Sequence, residues 1–515
     1  MRTVSIHIVL SLALASSTSA EVISGRVVDS SGNGVVGIDI DVLNNGSGGD
    51  PDIFNDGTDP SGFFTTTVIP PGVYDIRFTP PAPPATTHLP VLLTNVAVVG
   101  SINLGVITLP AGVSVSGRAV DSNGLPAGGV SLGVFDAATG QKVLTRSHST
   151  NAFGNFSIAV PPASIELRFD ASKVIGRTLV SKIVGLFPSA NTNLGDVVLP
   201  VGFLLSGTVQ RTSGTAVANA DIDVQDITTG VELYTPGDNT NALGVFSFAV
   251  PAGTWEVQIC PSAATALVAG QLDDVVVSAN TNVGVIQLQT GVTLFGTVTD
   301  SGGLPVPLVD IDVMDTVTGQ EVPLCGGGSN ASGVFSFVVP IGVLDVEFSP
   351  GFQLPLGAHV ESALSITSNT LLNAALPDCP FGINYGTGLA GTGGFVPHLT
   401  TSGGAPRIAN LAYRFELEEG LGGAPAVLII SLGQFNIPLF GGTMLVDFRK
   451  GMSVRQTVIL GGASGVGGEG SAPGFLPRIP IALSGVTLYS QFFVLDTVTP
   501  AGLAMSEGLQ MAVCP

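Results

Sequence analysis

A unit of about ninety residues recurs four times along this 515-residue chain, and the recurrence constrains the fold more than any other feature. A Ser/Phe-Gly-x-Val/Ala opening stands at Ser24-Gly25-Arg26-Val27, Ser116-Gly117-Arg118-Ala119, Ser206-Gly207-Thr208-Val209 and Phe295-Gly296-Thr297-Val298, its glycines 92, 90 and 89 residues apart. A turn at Asp59-Pro60-Ser61-Gly62, Asn151-Ala152-Phe153-Gly154, Asn241-Ala242-Leu243-Gly244 and Asn330-Ala331-Ser332-Gly333 keeps the same intervals. Two landmarks that drift together mark one unit copied in tandem.

Inside each unit the apolar period is two. Ile38-Asp39-Ile40-Asp41-Val42, Ile222-Asp223-Val224 and Ile311-Asp312-Val313 alternate as half-buried strands do. A second strand such as Val245–Val250 follows the Asx turn, then a Pro-x-Gly-type turn, then a third strand such as Trp255–Ile259. Asx side chains cap the local backbone and glycine accepts positive φ, which suits these turns. No segment carries a capped helical stripe. The expected fold class is all-β: a tandem array of antiparallel β-sandwich domains, four homologous repeats and a distinct C-terminal β-sandwich.

The order Gly-x-Val-x-Asp-x-x-Gly-x-Pro-Leu/Val, strand, Asx-x-x-Gly-x-Phe-x-Phe, Val-Pro-x-Gly resembles the carboxypeptidase regulatory-like (transthyretin-like) domain. Repeat four fits best, through Gly296–Asp300 and Gly303-Leu304-Pro305-Val306; repeat two departs at Pro161-Pro162-Ala163. The resemblance covers roughly residues 21–377. It implies the sandwich fold and an accessory or spacer role, since such domains sit on many unrelated proteins. Related starch-binding-like sandwiches keep glycan binding as an alternative. After Pro377 the pattern changes. Tyr385-Gly386-Thr387-Gly388, Gly391–Pro397, Leu421–Ala424, Leu483–Tyr489 with Gln491, and Gly502–Ala504 with Ser506, Gly508 and Leu509 are similar to a module that ends multidomain secreted bacterial proteins. That resemblance brings no chemistry; Leu389 stands where relatives tend to carry a cysteine. Strands are expected near 426–432, 443–448, 453–460 and 486–495, and a mobile Gly/Ser-rich loop over 461–474.

Residues 1–20 read as a secretory leader, with Arg2, an apolar stretch from Val4 and Thr18-Ser19-Ala20, and cleavage is expected after Ala20. The expected domains are 21–110, 111–200, 201–290, 291–377 and 378–515. The rest of the chain has no eighteen-residue apolar run, so no membrane span is expected in the mature protein. Only 11% of residues are charged, against roughly 25% in ordinary domains. The net charge of −21 argues against nucleic acid and anionic membranes as partners. The four cysteines, Cys260, Cys325, Cys379 and Cys514, suit disulfides in an exported chain and allow three pairings. Joining Cys379 to Cys514 would staple the ends of the last module and leave Cys260 with Cys325; the other pairings stay open.

No catalytic constellation stands out. His88, His148, His359 and His398 lie in different parts of the array, and only His359-Val360-Glu361 puts two possible ligands on one strand face. Gly462-Ala463-Ser464-Gly465-Val466 lacks the final glycine of a nucleophile elbow. Trp255, the only tryptophan, shares the face of Val257 and Ile259, as a core residue would. The expectation is a non-enzyme: a secreted or cell-surface structural or adhesive protein whose partner is an extracellular polymer or protein, with carbohydrate binding as the alternative. No cofactor is expected beyond Ca²⁺. Asp39, Asp41, Asp56 and Asp59 of repeat one register with Asp221, Asp223, Asp238 and Asn241 of repeat three. Such clustered oxygens could hold Ca²⁺, helped in repeat one by Asp50 and Asp52. Solvated strand-face acids and a metal-free Asx turn account for the same pattern.

Overall fold

The computed structural model describes residues 21–44, 56–146, 148–408, 410–449, 453–475 and 481–515; the expected leader and the Asp50–Asp52 segment lie outside them. Repeat one comprises β1 (Ile23–Val28), β2 (Asp39–Asn44), β3 (Phe63–Thr65), β4 (Gly72–Thr79), β5 (Val91–Val98) and β6 (Ile102–Thr108). They form two three-stranded sheets, ordered β3-β1-β6 and β2-β4-β5. Alternation decides which faces meet: Ile40 and Val42 are fully buried, while Asp39 and Asp41 of the same strand face outward. The inner faces close over Ile23, Val27, Phe64, Ile76 and Phe78.

Repeats two, three and four repeat this plan. Pairing is antiparallel with one exception, which the period of two could not reveal. The first and last strands run parallel in every repeat: β1 with β6, Val113–Asp121 with Thr192–Leu199, Phe203–Arg211 with Thr281–Leu288, and Val292–Thr299 with Thr370–Leu371. The last strand crosses over from the opposite sheet, so no hairpin dictates its direction.

The two sequence landmarks are spatial neighbours. Gly25, Gly117, Gly207 and Gly296 sit directly across from Phe64, Phe156, Phe246 and Phe335. A Cβ on those glycines would lie 2.9, 2.9, 2.7 and 3.1 Å from the facing ring, so the phenylalanine covers the bare backbone. The turn that aims this phenylalanine is held by its Asx residue. Asp59 Oδ1 accepts the N–H of Ser61 (2.8 Å) and Phe63 (2.9 Å), and Asn151, Asn241 and Asn330 do the same in their repeats. Gly62 has φ +82°, and a Cβ there would meet Val27 O at 2.1 Å.

The hydroxyl just before each of these turns is buried and doubly used. Thr58, Thr150, Thr240 and Ser329 donate to the carbonyls of Val35, Ala127, Val217 and Val306. The same oxygens accept from the N–H of Ile38, Val130, Ala220 and Val309. Each closes the gap where the second strand enters the sandwich, satisfying two backbone groups that water cannot reach.

Past residue 377, a six-stranded sheet built around Pro425–Ser431 and Thr487–Leu495 faces a three-stranded sheet of His398–Ser402, Arg414–Leu421 and Gly467–Phe475. Leu417, Phe415, Leu428 and Phe492 meet between them. The Gly-rich stretch expected as a mobile loop is therefore largely a strand. Gly470 stands across from Gly420, where a Cβ would come within 2.5 Å of that residue's carbonyl carbon, and the register shifts three times along the pair. These glycines serve a close, bulged approach of two backbones. Among the described residues the five large buried clusters fall within 23–109, 115–199, 205–288, 268–376 and 399–513. Val268 belongs to the fourth of these, reaching forward from the third repeat's sequence.

Candidate functional site

What recurs beyond the sandwiches is the joint between them. At each junction the connecting chain forms a one-residue antiparallel bridge with a loop of the preceding repeat: His88 with Ala111, Leu179 with Val201, Leu267 with Thr290, and Leu356 with Asp378. Two backbone hydrogen bonds seal every bridge. Leu89 N–H donates to Pro110 O (2.9 Å) and Gly112 N–H to Thr87 O (3.0 Å); the last joint has Cys379 N–H to Pro355 O (2.7 Å) and Gly357 N–H to Pro377 O (2.8 Å). The linker glycines Gly112, Gly202 and Gly291 let the bridge lie flat. A Cβ there would fall 2.7, 2.6 and 2.4 Å from the carbonyl oxygens of Val160, Val250 and Val339. Cys379 takes this position at the last joint.

A second contact reaches back from each following repeat. Arg77 Nη2 donates to Thr145 O (2.8 Å), and Arg146 Nη1 to Pro80 O (3.1 Å). At the next joint the Arg168 guanidinium lies 3.9 Å over Phe135 and 5.7 Å from the centre of the Tyr234 ring, while bonding Glu166 at 2.8 Å. At the third, Gln258 Nε2 donates to Leu324 O (3.1 Å), and Cys260 is disulfide-bonded to Cys325 with Cα atoms 5.4 Å apart. Cys379 is joined to Cys514, Cα atoms 6.0 Å apart.

These contacts frame grooves of opposite character. The first joint holds a groove of about 670 Å³ lined by Arg77, Lys142, Thr145 and His148. Burial and the nearby Arg146 lower the His148 pKa, and its Nε2 accepts the Ser157 N–H at 3.2 Å, so the ring is neutral at pH 7. At the third joint a groove of about 780 Å³ is lined by Glu256, Asp273, Asp310, Asp312 and Glu321. At the middle joint Tyr234 and Arg168 stack across the junction.

The residues read as calcium ligands are brought together only in part. Asp39 and Asp41 share the outer face of β2; burial, then Asp41 and Asp56, raise the Asp39 pKa, while Arg146 and Arg77 act against the rise. In repeat three, burial and then Asp221, Glu232 and Asp238 push Asp223 up to about 6. Asp238 Oδ2 accepts the Thr235 hydroxyl (2.5 Å), and Asp221 Oδ1 accepts from Asn239 Nδ2 (3.2 Å). Asp59 and Asn241 are committed to their own turns. Among the described residues no group of three or more His, Cys, Asp or Glu side chains is arranged to hold a metal ion. Trp255 is 6% exposed, packs in its sandwich core and donates from Nε1 to Pro251 O (3.1 Å), as the Tyr74 hydroxyl does to Pro70 O (2.7 Å). His359 Nε2 and Glu361 Oε1 pair with each other at 2.9 Å.

Asp223, and Asp312 likewise at about 6, have folded-state pKa values above the unfolded carboxylate value. The folded protein thus holds protons that the unfolded chain has lost, and it gains stability as pH falls from 7 toward 4. At neutral pH the two charges are a standing cost, reduced by solvent screening. Asp223→Asn is expected to raise the unfolding midpoint of the third repeat at pH 7.5 by roughly 2–4 °C and by only about a third as much at pH 4.5, where the unfolded carboxylate is still largely ionised. Calorimetry at the two pH values checks this; an equal shift at both would assign the effect to something other than ionisation.

From the sequence the junctions are expected only as short links that couple neighbouring domains semi-rigidly; the backbone bridges that seal them and the buried hydroxyls were missed. The joints had a signal in the in-register Leu109-Pro110-Ala111-Gly112, Leu199-Pro200-Val201-Gly202 and Leu288-Gln289-Thr290-Gly291. The hydroxyls had one in the Thr or Ser that precedes every Asx turn.

No family model and no curated protein matches the chain. Among solved structures it is similar to the TIE protein of Bacillus anthracis, with 12% identity over 67% of each chain and a TM-score of 0.16. It is also similar to a streptococcal ancillary pilin, with 12% identity over 52% of this chain and 98% of that one and a TM-score of 0.17. BcpA, the major pilin subunit of Bacillus cereus, aligns at 11% identity over 52% of this chain and 99% of that one, TM-score 0.15. At these scores the superpositions carry no argument about function. Among the described residues no helix is long and apolar enough to cross a membrane.

Proposed function

We propose that the chain is a non-catalytic structural or adhesive protein, exported by its leader and working outside the cell or on its surface as a stiff spacer. The recurring joint carries the reading. A linker that is hydrogen-bonded on both sides holds neighbouring sandwiches in line instead of letting them swing. The resemblance of the repeats to carboxypeptidase regulatory-like domains, which serve as spacers, fits as well. Small-angle scattering tests it: the radius of gyration should far exceed the about 23 Å of a compact chain of this length. A value near that figure would overturn the reading.

The division into 21–110, 111–200, 201–290, 291–377 and 378–515 is part of the proposal. Limited proteolysis should spare the bridged linkers. Any cut between residues 261 and 324 should leave repeats three and four together until the sample is reduced. Carbohydrate binding, the alternative, would have to do without Trp255, which is in the core. A glycan array on the full chain decides between the two. Calcium at repeats one and three is a further proposal resting on the converging acids alone. Calorimetric heat at millimolar Ca²⁺ that Asp223→Asn removes would support it, and silence would leave the acids as groove surface.

A further inference from the structure

We propose that the array is a tether with a covalently bounded reach, in which two disulfides take the third joint and the whole C-terminal module out of the line of tension. The inference rests on the structural-array reading above and deepens it. Consider the chain pulled from its two ends. Tension follows covalent bonds, and at Cys260 it has a short route: Cys260 and Cys325 are 65 residues apart in sequence but 5.4 Å apart between Cα atoms. The chain between them carries no load. It contains Gly270–Val277 and Thr281–Leu288 of repeat three, the linker bridged at Thr290, and Val292–Thr299 and Asp310–Asp315 of repeat four.

The second shortcut is more complete. Cys379 opens the last module and Cys514 is its penultimate residue, separated by 135 residues and by 6.0 Å between Cα atoms. Tension arriving at Pro515 passes through the disulfide to Cys379, and from there into the last joint, where the Cys379 N–H is bonded to Pro355 O. The core around Phe415, Leu428 and Phe492 is bypassed. Repeats one and two contain no cysteine, and their joint is held by the Arg77–Thr145 and Arg146–Pro80 hydrogen bonds. The array therefore has a yielding N-terminal half and a C-terminal half whose extension is capped. Position gives each disulfide its purpose: at the third joint Cys260–Cys325 adds a covalent bond beside the Gln258–Leu324 hydrogen bond, where the first two joints have only non-covalent side-chain contacts.

The experiment is single-molecule force extension of the full chain held by handles at its two ends, with thiol content confirming the oxidised state. A fully extended chain spans about 3.3–3.6 Å per residue. Reduction by dithiothreitol should therefore add roughly 70 nm to the total length released on unfolding. The Cys260→Ser/Cys325→Ser double variant should add roughly 22 nm, and Cys379→Ser/Cys514→Ser roughly 46 nm. The same total length for oxidised and reduced protein would overturn the proposal. So would a Cys260→Ser/Cys325→Ser chain with no gain, and in-place reduction of the unaltered chain gives the answer even where a variant fails to fold. A compact scattering profile with these length changes intact would sink the array reading and leave the covalent shortcuts standing.

Discussion

Gly296→Ala should lower the unfolding midpoint of the fourth repeat by roughly 15 °C, because among the described glycines it is where an added Cβ would come nearest to another atom. The added Cβ would sit 1.7 Å from the Leu372 carbonyl oxygen and 3.1 Å from the Phe335 ring. The ring could shift, but the carbonyl belongs to the backbone of the parallel partner, where Leu372 N–H donates to Phe295 O at 2.8 Å. Relief therefore means moving a strand, and about 3 kcal/mol is expected, at the top of the usual range for overpacking. Gly25→Ala should cost about 1 kcal/mol, because its nearest atoms are a movable ring at 2.9 Å and the Gly105 oxygen at 3.1 Å. Differential scanning calorimetry of the two variants provides the comparison. Equal losses would mean that the crowding at Leu372 is not what constrains the fourth repeat.

The second large effect is expected from Thr150→Val. The replacement keeps the shape and removes only the hydroxyl. That leaves the Val130 N–H (3.0 Å) and the Ala127 carbonyl (2.6 Å) without their partner, in a place where Thr150 is 4% exposed. Each orphaned group costs about 1–3 kcal/mol, so about 3 kcal/mol is expected in all. Thr150→Ser, which keeps the oxygen as Ser329 does in repeat four, should recover most of it. Chemical denaturation of the pair checks both statements, and a Val variant as stable as the Ser variant would show that these backbone groups find other partners.

The sandwich plan was legible because its strongest signals are physical contacts. The opening glycines and the Asx turns drift by the same intervals since Gly25 and Phe64, and their counterparts, lie opposite each other on paired strands. A residue gained or lost on one side alone would break that pairing. Burial of Trp255, too, could be read from its alternation with Glu256 and Gln258. The parallel first-to-last pairing could not, because a period of two says which face is buried and nothing about which edges meet. The joints were legible as short, semi-rigid links, but how they are sealed was not, for a related reason: backbone hydrogen bonds hold them, and these ask little of the side chains beyond a glycine where two chains touch. The acids on β2 were legible on one axis only. Asp39 and Asp41 do share a face, but only one of the cations near them, Arg77, stands on the neighbouring strand; the other, Arg146, comes from repeat two, across a boundary that strand patterns do not describe. The Gly-rich run at 467–475 showed the reverse, since glycine marks a crowded backbone as readily as a loose one.

The recurrence of one backbone joint has a consequence for how such a chain can change its length. A duplicated gene segment carrying one sandwich with its Pro-x-Gly linker would bring both halves of the joint with it, the loop that offers the bridge and the linker that completes it. Reach could then grow by whole steps with no new interface to invent. The side-chain contacts set the opposite constraint: Arg146, Tyr234 and Cys325 each find a partner only in the repeat before them. They act as keys that fix the order of the units, so that the chain is free in number and strict in sequence.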